Sequence, residues 1–216
     1  MGHNSNIEVY ISGEDTVTKE VIYRILSFVS PRFKVVGDIP ARGGEIKKKI
    51  PQCNSLAKLH PVIMLLDVDN GCAPMLKSAL LGDQKQSDGF LMNIAVDEAE
   101  AWLMADTEGF ARYFGINSND MPKAEANKQG GRKALIEMNF PMKSSFVLTH
   151  ELIFKSNNPV LKQQIGVKEK GKTKGKEYND AIVPFIKNVW NIEQAKTNSD
   201  SLQRMLRRLE CLLNKY

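Results

Sequence analysis

The sequence predicts an α/β protein: a mainly parallel, four-stranded sheet flanked by helices, with a C-terminal α-helical extension. Three observations carry this. Strand-like and helix-like segments alternate through the first half of the chain, the pattern of parallel-sheet folds. The third strand segment, PVIMLLDVD, is a continuous apolar run, as in a strand buried on both faces. Beyond about Asn117 the strand signal fades and helical spacing takes over.

Taken in order, IEVYISG alternates β-branched and aromatic residues up to Gly13 and reads as the first strand. TVTKEVIYRILSFVS follows with apolar residues at Val17, Val21, Ile22, Ile25, Leu26 and Val29, a helical spacing with Thr16 as expected N-cap and Pro31 as stop. FKVVGDI is the second strand. EIKKKI is a short basic helix expected to end at Pro51. After the third strand, Pro74–Leu81 reads as a helix closed by Gly82, and FLMNIAV as the fourth strand. One long helix is expected from about Asp97 to Phe114, closed by Gly115. Further helices are expected at about Arg132–Met138, Thr149–Ser156, Tyr178–Trp190 and Ser199–Asn214. This gives an α/β domain over 1–116 and a helical extension over 117–216 that packs on it and contains a basic loop at 166–176.

Composition narrows the class. The chain has 216 residues, 42% hydrophobic and 25% charged, with net charge +5. That is an ordinary globular balance with enough chain for a core. The longest apolar run, Val62–Leu66, is strand-sized and far short of the ~18 residues of a membrane helix. The start, MGHNSN, lacks the basic and apolar regions of a signal peptide. Three cysteines (Cys53, Cys72 and Cys211) without CxxC spacing argue against a disulfide framework or zinc knuckle. A cytoplasmic protein without membrane association is expected. Trp102 and Trp190 fall at helical apolar positions and are expected in the core.

The placement of charge is more informative than its sum. In open parallel sheets, ligands bind beyond the carboxyl ends of the strands. There this sequence carries Glu14-Asp15 after strand one, Asp67 and Asp69 after strand three, and Glu98 and Glu100 after strand four. Gathered carboxylates repel unless a proton or cation neutralises them. Mg²⁺ (or Mn²⁺) is the natural partner, since it takes oxygen ligands from one or two carboxylates plus phosphates and water. Asp67 and Asp69, two apart on a strand, share one side of the chain. Downstream, GVKEKGKTKGK carries Lys168, Lys170, Lys172, Lys174 and Lys176 against one glutamate. Its glycines suggest a flexible loop that contacts nucleic-acid phosphates without sequence preference; the plainer reading is a solvated loop. No nucleotide-binding fingerprint is present.

GED followed by a helix, the strand ending in DVD, and then DEAEAWLMAD resemble the Toprim fold, the metal-dependent phosphotransfer domain of topoisomerases, primases and overcoming-lysogenisation-defect nucleases. More narrowly, the chain is similar to a bacterial Toprim-like family of unknown function whose members carry an E-x-E-A-W-L-L-A-D motif and often lie near defence-associated ATPases. Gly175, Tyr178, PFIKNVW and the Ser199-Asp200-Ser201-Leu202-Gln203-Arg204 start also fit it. The resemblance implies that Glu14 acts as general acid/base or metal ligand and that Asp67 and Asp69 hold Mg²⁺. The usual pattern has the glutamate directly before a glycine; here it lies two residues further on, after Gly13, and Asp15 is an alternative ligand.

Together these readings give a Mg²⁺-dependent nuclease or phosphodiester-processing protein with Glu14, Asp67 and Asp69 catalytic, Glu98 and Glu100 as further metal ligands, and the lysine loop binding nucleic acid. A role as a defence effector is expected. The alternative is a non-catalytic module acting with a partner ATPase or nucleic acid. A phosphatase acting on a small substrate is a third class, which an extended basic loop does not favour.

Overall fold

The computed structural model describes residues 5–40, 45–68, 73–127, 135–169 and 171–216. The chain forms two compact units, Met1–Val96 with Arg204–Tyr216, and Asp97–Gln203.

The first unit is built on β1 (Ile7–Gly13), α1 (Thr16–Val29), β2 (Phe33–Asp38), α2 (Glu45–Lys48), α3 (Ile50–Leu56), β3 (Val62–Val68), α4 (Ala73–Leu81) and β4 (Phe90–Val96). The four strands make an all-parallel sheet in the order β2-β1-β3-β4. β3 is central and apolar. Val62, Met64 and Leu66 join Phe90 and Met92 in a cluster with Ile46, Ile50 and Cys53 of α2 and α3. Ile63 and Leu65, which alternation turns to the other face, are also buried. α1 packs on β1 and β3 through Val17, Val21, Ile22, Ile25 and Leu26. The sheet expected from the sequence is therefore present, flanked by helices.

Local chemistry sets the ends of these elements. Asp15, rather than the expected Thr16, is the N-cap of α1: it accepts from the Thr18 N–H at 2.9 Å and the Thr18 hydroxyl at 2.8 Å. Pro51 does not end the helical region. It stands in the first turn of α3, where the missing N–H costs nothing, and the helix runs on to Leu56.

The second unit contains α5 (Ala99–Met104), α6 (Thr107–Phe114), β5 (Ala124–Asn127), β6 (Leu135–Met138), α7 (Ser144–His150), α8 (Pro159–Ile165), α9 (Tyr178–Asn188) and α10 (Ile192–Ala195). α11 (Asp200–Leu213) begins there and ends in the first unit. The single helix expected over 97–114 is two, because Asp106 breaks it: its carboxylate caps α6 by accepting the Gly109 N–H at 3.2 Å. A Cβ at Gly109 would run into that carboxylate.

The helix expected at Arg132–Met138 is also corrected. Leu135–Met138 is a strand paired antiparallel with Ala124–Asn127. Distant partners fix it. The Ile136 N–H donates to Asp200 Oδ2 at 2.7 Å, and the buried Glu137 carboxylate accepts from the Ser199 and Ser201 hydroxyls and the Ser201 N–H at the start of α11. The helix expected at Thr149–Ser156 is α7 followed by a 3₁₀ turn over Leu152–Lys155. Trp102 and Trp190 are fully buried, as expected; the Trp102 indole donates to Ser201 Oγ and the Trp190 indole to the Trp102 carbonyl. Among the described residues no helix is long and apolar enough to cross a membrane.

Candidate functional site

The carboxyl edge of the sheet brings two of the expected residues together. β1 and β3 are neighbours with Gly13 opposite Leu65, so Glu14 leaves β1 beside the last residues of β3. The Asp67 N–H points at the Glu14 carboxylate, with Oε1 at 3.4 Å. Both side chains are half-buried. Glu14 and Asp67 thus lie at the ends of adjacent parallel strands, joined through the Asp67 backbone N–H, and Asp15 is committed to capping α1. Asp69 lies outside the described residues. Among the described residues, no three His, Cys, Asp or Glu side chains converge as a metal-holding group. The Glu14–Asp67 pair offers oxygen donors only, which suits Mg²⁺ or Mn²⁺; one or two carboxylates are the usual protein contribution to a Mg²⁺ site.

The acidic segment after β4 is accounted for within the second unit. α7 lacks a side-chain cap of its own at Lys143, and the first N–H groups of a helix need acceptors. Asp97 and Glu98 supply them. Asp97 Oδ2 accepts the Ser144 N–H at 2.8 Å, and Glu98 Oε2 accepts the Ser145 N–H at 2.8 Å and the Ser144 hydroxyl at 3.3 Å. To do this Asp97 adopts φ = +71°; among the described residues it is the one non-glycine with positive φ. Burial pushes its carboxyl up to about 6; the charges of Glu98 and Glu100 act the same way, and the bonds from Ser144 oppose them.

Glu100 is 3% exposed. Its Oε1 accepts from the Tyr178 hydroxyl at 2.8 Å and the Lys174 ammonium at 3.0 Å, and that ammonium lies 4.8 Å from the Tyr178 ring centroid. Asp106, besides capping α6, accepts the Asn191 N–H at 2.8 Å. Each acid of the 98–106 segment therefore has a hydrogen-bonding partner in its own unit.

The lysine segment is more ordered than a flexible loop. The Val167 N–H donates to the Thr149 carbonyl at 3.0 Å, and the Thr149 hydroxyl to the Thr173 carbonyl at 3.1 Å. Gly171 takes φ = +86°, and a Cβ at Gly175 would run into the Gln164 carbonyl oxygen. With α8 the segment encloses a cleft of about 610 Å³ lined by Lys162, Lys168, Lys172, Lys174 and Lys176, with Phe154 on one wall. Lys172 pairs with Glu169 and Lys174 with Glu100, while Lys168 and Lys176 are exposed. Lys170 lies outside the described residues.

Sequence reasoning missed Lys162, which no pattern marks, and the Ser144-Ser145 pair, whose only local signal is two small polar residues ahead of an apolar run. No model of a known protein family matches this chain, and neither does any curated protein or solved structure.

Proposed function

We propose that the chain is a Mg²⁺- or Mn²⁺-dependent, Toprim-like phosphodiester-processing protein, a nuclease acting in the cytoplasm, with Asp67, Asp69 and Glu14 at its metal centre. The observation that carries the reading is the Glu14 carboxylate reaching the Asp67 N–H across the ends of two parallel strands. A divalent ion there would neutralise developing charge on a phosphate and acidify its bound water. The chain's own part is to hold Asp67 on β3 and Glu14 directly after the end of β1. The Asp67 N–H orients the Glu14 carboxylate, which is the candidate proton acceptor for an attacking water. Exposed Lys168, Lys172 and Lys176 would meet a nucleic-acid backbone, a contact expected to weaken steeply with salt. Lys174 is spent on Glu100. Tyr178, buried and donating to Glu100, is not placed as a nucleophile.

A second reading, a non-catalytic module acting with a partner ATPase or nucleic acid, is favoured by one observation. Glu98 and Glu100, the acids that would complete a second metal site, already serve α7 and the Lys174–Tyr178 pair. The test is incubation of the chain with plasmid, single-stranded DNA and RNA in Mg²⁺ or Mn²⁺, beside Asp67→Ala. Cleavage lost in the variant supports the nuclease. Metal binding or nucleic-acid binding without cleavage of any substrate favours the module.

A further inference from the structure

A second basic cleft, in the first unit, belongs to neither reading. α11 carries Arg204, Arg207 and Arg208 at positions i, i+3 and i+4, and therefore on one face. That face and residues 86–91, which lead into β4, line a cleft of about 410 Å³. Its charged lining is Arg204, Arg207, Arg208 and Lys215 against a single carboxylate, Asp88. The volume lies in the ordinary range of small-ligand sites.

The walls are fixed in place. Arg208 donates through one nitrogen to the Met92 carbonyl at 3.0 Å and to Asn93 Oδ1 at 3.2 Å. Asn93 is itself anchored to the Met64 and Leu91 carbonyls. On the opposite wall, the Ser87 N–H and hydroxyl both bond to Asn54, each at 2.7 Å. The guanidinium of Arg208 is therefore held in one orientation beside other cations. Burial and the neighbouring charge of Arg204 pull Arg208 below its ordinary range, and burial and the charge of Arg208 do the same to Lys77 of α4. Like charges gathered in a partly desolvated space repel one another, and an anion bound among them relieves that cost.

We infer that α11 and residues 86–91 form a phosphate-binding cleft, in which Arg204 and Arg207 grip an oligoanionic phosphate group over the planted Arg208. Guanidinium forks match the oxygens of carboxylate and phosphate alike, and phosphate is favoured because several forks together suit a group with more than one negative charge. The group would be carried by a small phosphorylated molecule or by a nucleic-acid backbone. The inference does not rest on the metal centre.

The test is calorimetric titration of the full chain in low-salt buffer with EDTA, using inorganic tripolyphosphate in one arm and a 12-nucleotide single strand in the other. The paired variant Arg204→Gln/Arg207→Gln is compared with Lys168→Gln/Lys176→Gln. Arg208 is left alone because it supports β4. Binding of tripolyphosphate, weakened at least tenfold by the arginine pair and unchanged by the lysine pair, supports a small phosphorylated ligand. Binding of the strand only, weakened at least tenfold by the arginine pair whatever the lysine pair costs, supports a nucleic-acid backbone. A thermal melt confirms folding, and Arg204→Lys/Arg207→Lys should fall between wild type and the Gln pair. Cys211 is exposed on the cleft lining, so bound phosphate should slow its alkylation by iodoacetamide, read by peptide mass mapping. Failure of both probes to bind, equal binding by wild type and the arginine pair, or unprotected Cys211 at saturation would overturn the inference.

Discussion

Replacing Asp97 by Asn should stabilise the protein at neutral and alkaline pH. The carboxyl titrates at about 6 in the folded chain against an ordinary 3.8. Folding therefore favours its protonated form, so stability is greatest below about 4 and is lost as pH rises from about 4 to about 6. At ~1.4 kcal/mol per pH unit the full effect would be ~3 kcal/mol. The side chain is only half-buried, and solvent screening reduces this to about 1 kcal/mol. Asn keeps an acceptor for the Ser144 N–H, tolerates φ = +71°, and removes the repulsion from Glu98 and Glu100. In EDTA, the variant should melt about 2–4 °C above wild type at pH 8, the shift ~1 kcal/mol gives in a protein of this size, and level with it at pH 4. Asp97→Ala, which loses the acceptor and strains the positive φ, should melt lower at both. A lower melt for Asp97→Asn at pH 8, or the same difference at both pH values, would refute the reasoning.

Other perturbations separate structural from binding roles. Lys174→Gln leaves the buried Glu100 carboxylate short of its cation and should cost about 2 kcal/mol in urea unfolding, with little effect on nucleic-acid binding. Lys168→Gln/Lys176→Gln should do the reverse: unchanged stability, and a slope of log K against log salt shallower by about 1.4–1.8. Gly109→Ala should cost about 1–2 kcal/mol, because the new Cβ displaces the Asp106 carboxylate from the α6 cap; thermal melts check it, and an unchanged melt would show that the cap is dispensable.

The parallel sheet was legible because its signals are local: β3 is a continuous apolar run, and α1 repeats its apolar residues at helical spacing. The Glu14–Asp67 approach was legible too, since parallel neighbours carry their end residues to one edge. What escaped depends on distant partners. β6 is set by Ser199, Asp200 and Ser201, more than 60 positions away. Leu135 to Met138 alone suits a helix equally well. Glu98 and Glu100 read as metal ligands because their serine, lysine and tyrosine partners lie 46 to 78 positions downstream. Lys174 looked like its loop neighbours for the same reason. Arg204, Arg207 and Arg208 recur at helical spacing, but only the fold sets them against residues 86–91 as a cleft.

The most direct test of the central claim is calorimetric titration of Mn²⁺ into the chain beside Glu14→Gln and Asp67→Asn. The expected result is a binding site weakened at least tenfold by each substitution, with the melting temperature of the metal-free variants little changed. Binding of equal strength in all three proteins, or no binding to the wild type, would contradict a metal centre at the ends of β1 and β3.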